Sequence, residues 1–451
     1  MGMPHLPPAG YFPRHNCSTT GPKAVRRLIL WLWGKNRAVF FHLTPEFMFE
    51  ASAHPLASFG LHFQFHVTQR TCGACFRVHS FTFLLVVPSE EEPIFPALSM
   101  VRVSRSAPSV RSNDNPFDKG ARSRFHPALA MSQKCLVTGA AGFIGSHLVD
   151  RLLERDCFVL GVDNMKLGRR ANLAPALKQK KFKFVELDVN DLPTFARAVR
   201  QNSHDKPFDI IWHMAANSDI RAGVADPDVD LRDTFLTTFN VLKVARELKI
   251  PQLAFASSSA IYGTRDEKLV ENLGPLFPIS NYGAMKLASE ACISAALEAY
   301  LQRAWIFRFP NVVGSRSTHG VIYDFVRKLK ANPKELEVLG DGAQEKPYFH
   351  VSDLLEAMLF IVERASEKLN YFNIGTTDSA TTVRYIAERV VASMSPGAII
   401  RYQGGSKGWI GDVPRFNYSI EKLQRLGWSP SLKSDAAVDR AVEENVAEAV
   451  R

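Results

Sequence analysis

Beyond Met131 the chain alternates between two textures. Short, nearly continuous apolar runs close on polar or glycine-rich turns, and longer stretches repeat apolar residues every three or four positions. The runs at 134–138, 157–163, 182–188, 208–216, 252–259 and 304–314 predict buried strands. The stretches at 143–155, 231–248 and 282–301 predict amphipathic helices. Strands apolar on both faces and separated by helices imply α/β architecture, a doubly wound parallel sheet covered on both sides. After residue 312 the elements shorten and polar turns such as LGDG and GGSKG appear. A smaller C-terminal α/β lobe is therefore expected over the carboxyl edge of the sheet, where doubly wound folds bind ligands. The expected division is a sheet domain over 131–311 and a mainly substrate-binding lobe over 312–451, with segments returning to the sheet.

The first 130 residues differ in kind. They carry 13 of the 26 prolines and 14 Lys/Arg against 7 Asp/Glu. Short aromatic patches such as FGLHFQFHV occur there, but no sustained periodicity. The expectation is a basic, proline-rich extension, disordered or upstream sequence read in frame, with Met131 as the physiological start. A transit peptide is the rival, against which Glu90–Glu92 and the length weigh. Net charge is +10 overall, but residues 131–451 hold 41 basic against 38 acidic residues. That balance supplies no electrostatic footprint for nucleic acid. With 46% hydrophobic and 22% charged residues, chain-wide disorder and fibrous classes are excluded. Six cysteines are too few for a disulfide framework. Cys72 and Cys75 form a lone CxxC with no second pair, so no metal site is expected. No apolar run is long enough for a membrane span, and without a signal peptide the cytoplasm is the default location.

Between the first strand and helix lies Gly139-Ala-Ala-Gly142-Phe143-Ile144-Gly145. The first glycine permits a tight turn, the second lets backbone approach a pyrophosphate, and the third lets helix pack on strand. Asp163, at the end of the second strand, is placed to take both ribose hydroxyls and to repel a 2′-phosphate. This favours NAD over NADP, with Arg169 and Arg170 close enough to keep the alternative open. Further on come Ser257-Ser258-Ser259-Ala260-Ile-Tyr262-Gly at a strand end, Tyr282-Gly-Ala-Met-Lys286, and Arg308-Phe-Pro-Asn311-Val-Val-Gly. Tyr282 and Lys286 are four apart on a predicted helix and share a face. A phenol is a poor base at neutral pH. A neighbouring ammonium favours its phenolate, and a serine hydroxyl beside it can bind the reacting oxygen.

These motifs in this order resemble the extended short-chain dehydrogenase/reductases, specifically the NAD-dependent epimerase/dehydratase family. The similarity runs along 131–451 and is greatest to the branch that epimerises UDP-glucose and UDP-galactose at C4. The resemblance implies a Rossmann fold holding NAD, with Tyr282 as base, Lys286 lowering its pKa and binding the nicotinamide ribose, and Ser258 as the catalytic serine. It implies further cofactor contacts at Gly139, Gly142, Phe143, Ile144, Gly145, Asp163, Asn164 and Ser257, with Asp188 and Val189 framing the adenine and Ala215 and Ala216 lining the cofactor. Asn311 would contact the sugar diphosphate, and His319 would face the sugar or cap a helix. Lys346, Lys407 and Asp412 fall where the nucleotide phosphates bind. There Lys346 and Trp409 replace more usual arginines, leaving point charges without a bidentate fork. The implied reaction is transient oxidation at C4 to a 4-ketose, rotation, and return of hydride to the opposite face. Ser259-Ala260 replaces the Asp-Glu pair of the 4,6-dehydratases, which argues against dehydration. Other nucleotide-sugar epimerases, dehydratases, decarboxylases and reductases of the family, and catalytically silent NAD-binding relatives, are the alternatives. Such proteins often dimerise through two helices, and 231–248 and 282–301 could supply that face.

Overall fold

The computed structural model describes residues 133–377, 380–405 and 417–450, together with the backbone of four strands between 29 and 86. Those four strands belong to a first unit ending at Asp118. β1 (Ile29–Gly34) pairs antiparallel with β2 (Arg37–His42), and β3 (His62–Thr71) with β4 (Arg77–Val86). Strand pairing thus extends well past the short aromatic patches. Cys72, Cys75 and Met131 lie outside the described residues.

The second unit is built on a seven-stranded sheet. Its strands are β5 (Lys134–Thr138), β6 (Phe158–Asp163), β7 (Phe182–Glu186), β8 (Ile210–His213), β9 (Gln252–Ala256), β10 (Arg303–Arg308) and, after four short strands, β15 (Leu369–Asn373). All pair in parallel, in the order β15-β10-β9-β8-β5-β6-β7. Chain direction across the sheet reverses between β5 and β8, the switch point where this architecture binds ligands.

Side chains alternate between the two faces of each strand, and two cores result. One face gathers Cys135, Val137, Val159, Ile210, Trp212, Trp305 and Phe307 under α1 (Phe143–Glu154) and, later in the chain, the helix Val351–Arg364. The other gathers Leu136, Leu160, Val162, Ile211, Leu253, Phe255 and Ile306 under α2 (Leu192–Ser203), α5 (Thr237–Glu247) and α6 (Asn281–Ala299). Between β8 and α5 come α3 (Ile220–Ala225), α4 (Pro227–Asp230) and a π-helical turn, Leu231–Leu236. The stretch 231–248, expected as one regular helix, is therefore π-helical for its first six residues.

The apolar run 304–314 divides as well. Pro310, which has no N–H to give a ladder, separates β10 from β11 (Asn311–Val313). β11 leaves the large sheet and pairs with β14 (Tyr348–His350). α7 (Val321–Ala331), β12 (Glu335–Val338) and β13 (Glu345–Lys346) precede that strand, and α8 (Val351–Arg364) follows it. Beyond β15, β16 (Thr381–Thr382) pairs with β13, and α9 (Val383–Met394) leads to β17 (Ile399–Tyr402), which pairs with β12. α10 (Glu421–Leu426) and α11 (Ser434–Val450) complete the chain. A third core of Phe325, Leu329, Leu336, Val338, Val390, Val438 and Val442 binds α7, α9 and α11 together. Among the described residues no helix is long and apolar enough to cross a membrane.

Candidate active site

The glycine turn closes over the switch point. Gly139 has φ of +70°, and a Cβ there would lie 2.7 Å from the Ala215 nitrogen. A Cβ on Gly145 would lie 2.0 Å from the Gly139 carbonyl oxygen. The turn can therefore press against α1 and the β8 end only because side chains are absent. Gly142 is the N-cap of α1; no side chain caps it, and the first turn carries no acid. A helix start of this kind presents backbone N–H groups and a positive dipole end to an anion. Beneath the turn, His213 bridges Thr138 Oγ1 at 2.7 Å and Thr238 Oγ1 at 3.0 Å. Complete burial drives this imidazole down to about 3, so it is neutral and ties β5, β8 and α5 together. The one polar residue inside the apolar run IIWH was the available sequence signal for it.

Asp163 clips this turn. Its Oδ2 accepts the Ala141 N–H at 2.9 Å and its Oδ1 that of Met165 at 2.8 Å. Burial raises its pKa. Each oxygen retains a second lone-pair direction, so ribose hydroxyls can still be received. Asn164 Nδ2 donates to Asp188 Oδ2 at 3.0 Å, and Asp188 Oδ1 accepts the Asn190 N–H at 2.9 Å. Val189 is buried in the second core. Arg169 donates to the Tyr323 hydroxyl at 2.8 Å and stacks on that ring, while Arg170 pairs with Glu186 at 3.7 Å. An acidic Asp163 at this position would disfavour a 2′-phosphate. The cradle of Gly139, Gly145 and Ala215, the uncapped helix start and Asp163 together fit a dinucleotide without a 2′-phosphate.

The second half of the site is carried by α6. Ser280 caps it, accepting the Gly283 N–H at 3.1 Å. Tyr282 and Lys286 then lie one turn apart on one side, with Lys286 Nζ 5.7 Å from the Tyr282 ring centroid and 4.8 Å from that of Phe255. Lys286 is only 2% exposed and donates to the Ala256 carbonyl at 2.6 Å. Burial pulls its pKa down to about 7, against the opposing pull of Asp230 and Glu290. Ser258 Oγ accepts the Ala260 N–H at 3.1 Å, and the Ser258 side chain bears on the Tyr282 phenol. Burial pushes the Tyr282 phenol up to about 12, a rise that Ser258 opposes and Asp230 reinforces. The three predicted residues are thus brought together. Burial is the largest influence on the phenol, and it favours the protonated form.

Ser257 lies one residue away yet serves a different network. Its hydroxyl donates to Glu290 Oε1 at 2.5 Å. Arg308 grips Glu290 through Nε at 3.0 Å and Nη2 at 2.6 Å, and also donates to the Tyr262 hydroxyl and the Glu271 carbonyl. Tyr262 in turn donates to Asn373 Oδ1 at 2.8 Å. This buried pair fixes the end of β9, the end of β10 and the middle of α6 relative to one another. Glu290 was missed from sequence, though it stands one helical turn after Lys286.

On the opposite side of the cleft, Asn311 opens β11 and is partly buried. His319 stands before α7, whose N-cap is Gly320. The imidazole faces Thr318 Oγ1 at 3.2 Å and Ser218 Oγ at 3.5 Å, and burial lowers its pKa. Of its two expected roles, capping α7 is therefore not the one adopted. Lys346 is 9% exposed within β13. A cavity of about 600 Å³ lies beside that strand, lined by Arg265, Lys268, Glu345, Thr376, Asn417 and Gln424 among others, and by none of Ser258, Tyr282 and Lys286. Lys407, Trp409 and Asp412 lie outside the described residues.

Comparisons with known proteins agree with this geometry. The family model described as "NAD dependent epimerase/dehydratase family" matches residues 135–375. A solved UDP-galactose 4-epimerase is 34% identical, with a TM-score of 0.61, over 70% of this chain and 99% of its own. The UDP-glucose 4-epimerase of Thermus thermophilus, solved in complex with NAD, is 31% identical, with a TM-score of 0.60, over 69% of this chain and 99% of its own. The dTDP-glucose 4,6-dehydratase DesIV of Streptomyces venezuelae is 27% identical, with a TM-score of 0.61, over 69% and 96%. A glycine turn shaped for a pyrophosphate, a tyrosine and lysine on one helical face beneath it, and a family match spanning both lead to one conclusion: the chain belongs to the NAD-dependent epimerase/dehydratase family.

Proposed function

We propose that the chain is a nucleotide-sugar epimerase that interconverts UDP-glucose and UDP-galactose at C4. The observation that carries this reading is the convergence of Ser258, Tyr282 and Lys286 at the carboxyl end of β9, with Ser259 and Ala260 beside them. Neither of those two neighbours can act as acid or base, so the site carries one proton-transfer group where elimination of water would need more. NAD, when bound, supplies the acceptor and donor of the C4 hydride. In its phenolate form Tyr282 takes the proton of the sugar 4-hydroxyl, and the phenol so formed returns that proton after the 4-ketose has turned over in the pocket. Ser258 holds the reacting oxygen by its hydroxyl, and Lys286 holds positive charge beside the phenol. Asn311, His319 and Lys346 support the sugar diphosphate from the second lobe. Leu231, Leu236 and Phe239, all exposed, offer an apolar stripe through which two copies would pair as a homodimer.

The test is incubation of the protein with UDP-glucose, with NMR detection of UDP-galactose and no net NADH. Tyr282→Phe is expected to lower kcat by about 10²–10⁴-fold while bound NAD stays in place. A fully active variant would remove Tyr282 from the role of base.

A further inference from the structure

Asp230 is a carboxylate with no exposed surface, placed at the junction of α4 and the π-helical turn that packs on α6. Its Oδ1 is held by Asn217 Nδ2 at 2.9 Å and Thr234 Oγ1 at 3.3 Å. Its Oδ2 is buried with no hydrogen-bond partner, alone in this among carboxylate oxygens of the described residues. Leaving such an oxygen unpaired costs free energy unless a charge nearby compensates. The fold keeps space for it: a Cβ on Gly223 would lie 1.7 Å from Oδ2. The Gly223 carbonyl in turn accepts from Asn281 Nδ2 at 2.9 Å, the residue next to Tyr282. A π-helical turn inserted into a helix is a frequent mark of a functional position.

We propose that Asp230 is a positioning residue, the buried counter-charge that keeps Lys286 in its ammonium form while Tyr282 exchanges a proton with substrate. This rests on the epimerase reading above and extends it. The other charged groups around Lys286 are accounted for. Glu290, on the same helix, is neutralised by the fork of Arg308 from β10, and His213 of β8 is neutral. Asp233, beside Asp230, is paired with Lys166 and Arg232. Asp230 thus stands, ahead of Glu290, as the main carboxylate opposing the downward pull of burial on Lys286, and Lys286 in turn opposes the upward pull of burial on Asp230. Its negative charge acts on Tyr282 in the direction of the protonated phenol, which strengthens the phenolate's pull on the proton of the sugar hydroxyl.

The test reads Lys286 directly, by carbon NMR titration of isotopically labelled lysine side chains in the full chain, with the resonance assigned by Lys286→Met. Asp230→Asn is expected to lower the midpoint by about one pH unit. An unchanged midpoint in a folded Asp230→Asn protein overturns the proposal. Should Asp230→Asn fail to fold, thermal melts of Lys286→Met and of the double variant decide. With the ammonium gone, removal of the carboxylate should restore stability, so the double variant melts above Lys286→Met. A double variant that is no more stable than Lys286→Met overturns the proposal. Neither readout involves turnover, so failure of the epimerase reading would show separately as absence of UDP-galactose from the unmodified protein.

Discussion

The cofactor side and the substrate side of this cleft are built from different materials. The cofactor side consists of backbone and small residues: a turn that excludes Cβ atoms at Gly139 and Gly145, an uncapped helix start and one carboxylate clipped to that turn. The proposed substrate side rests on longer side chains delivered by separate segments, Asn311 from β11, His319 from the loop before α7 and Lys346 from β13. A backbone cradle tolerates almost no change in its glycines, because any added atom displaces main chain. A side-chain site can be altered one group at a time while the fold stands, which is how one fold serves many substrates.

The difference can be attacked at three points. The largest effect is expected at the joint between the halves. Arg308→Met leaves Glu290 buried and unpaired, at about 3–5 kcal/mol in stability, read as a lower denaturant midpoint. A variant as stable as the parent would mean that the fork does not hold β9, β10 and α6 in place. Next, Gly145→Ala puts a methyl group against the Gly139 carbonyl. Such overpacking costs about 1–3 kcal/mol, and the protein should purify without NAD, as ultraviolet absorbance would report. Retention of full NAD occupancy would break the idea of a cradle defined by missing side chains. The smallest effect belongs to the other side. Lys346→Met should raise KM for the nucleotide sugar about tenfold, with kcat and NAD content little changed. A rise in NAD loss instead would show that Lys346 serves the cofactor half.

Sequence legibility follows the same line. The parallel sheet was readable because its strands are buried on both faces and so appear as apolar runs, as in Leu136 against Cys135 and Val137. Where a run crossed a break in pairing, as at Pro310, or where a helix changed its winding, as at Leu231–Leu236, hydrophobicity alone did not register the change. The glycine turn and the Tyr282–Lys286 pair were readable because each depends on spacing within one element. His213, Glu290 and Asp230 were not, since their partners Thr138, Arg308 and Asn217 come from other elements.

The sequence by itself determined the alternation that folds the sheet, the turn that receives a dinucleotide and the face on which tyrosine and lysine meet, since these are properties of local backbone geometry and short-range order. Only the tertiary structure decided the proton affinities of that pair. Burial pushes the Tyr282 phenol up to about 12 and the Lys286 ammonium down to about 7, and the carboxylate bearing on both is Asp230, carried in on a neighbouring helix. Desolvation and through-space charge depend on what the whole fold packs around a group, and no spacing along the chain encodes them.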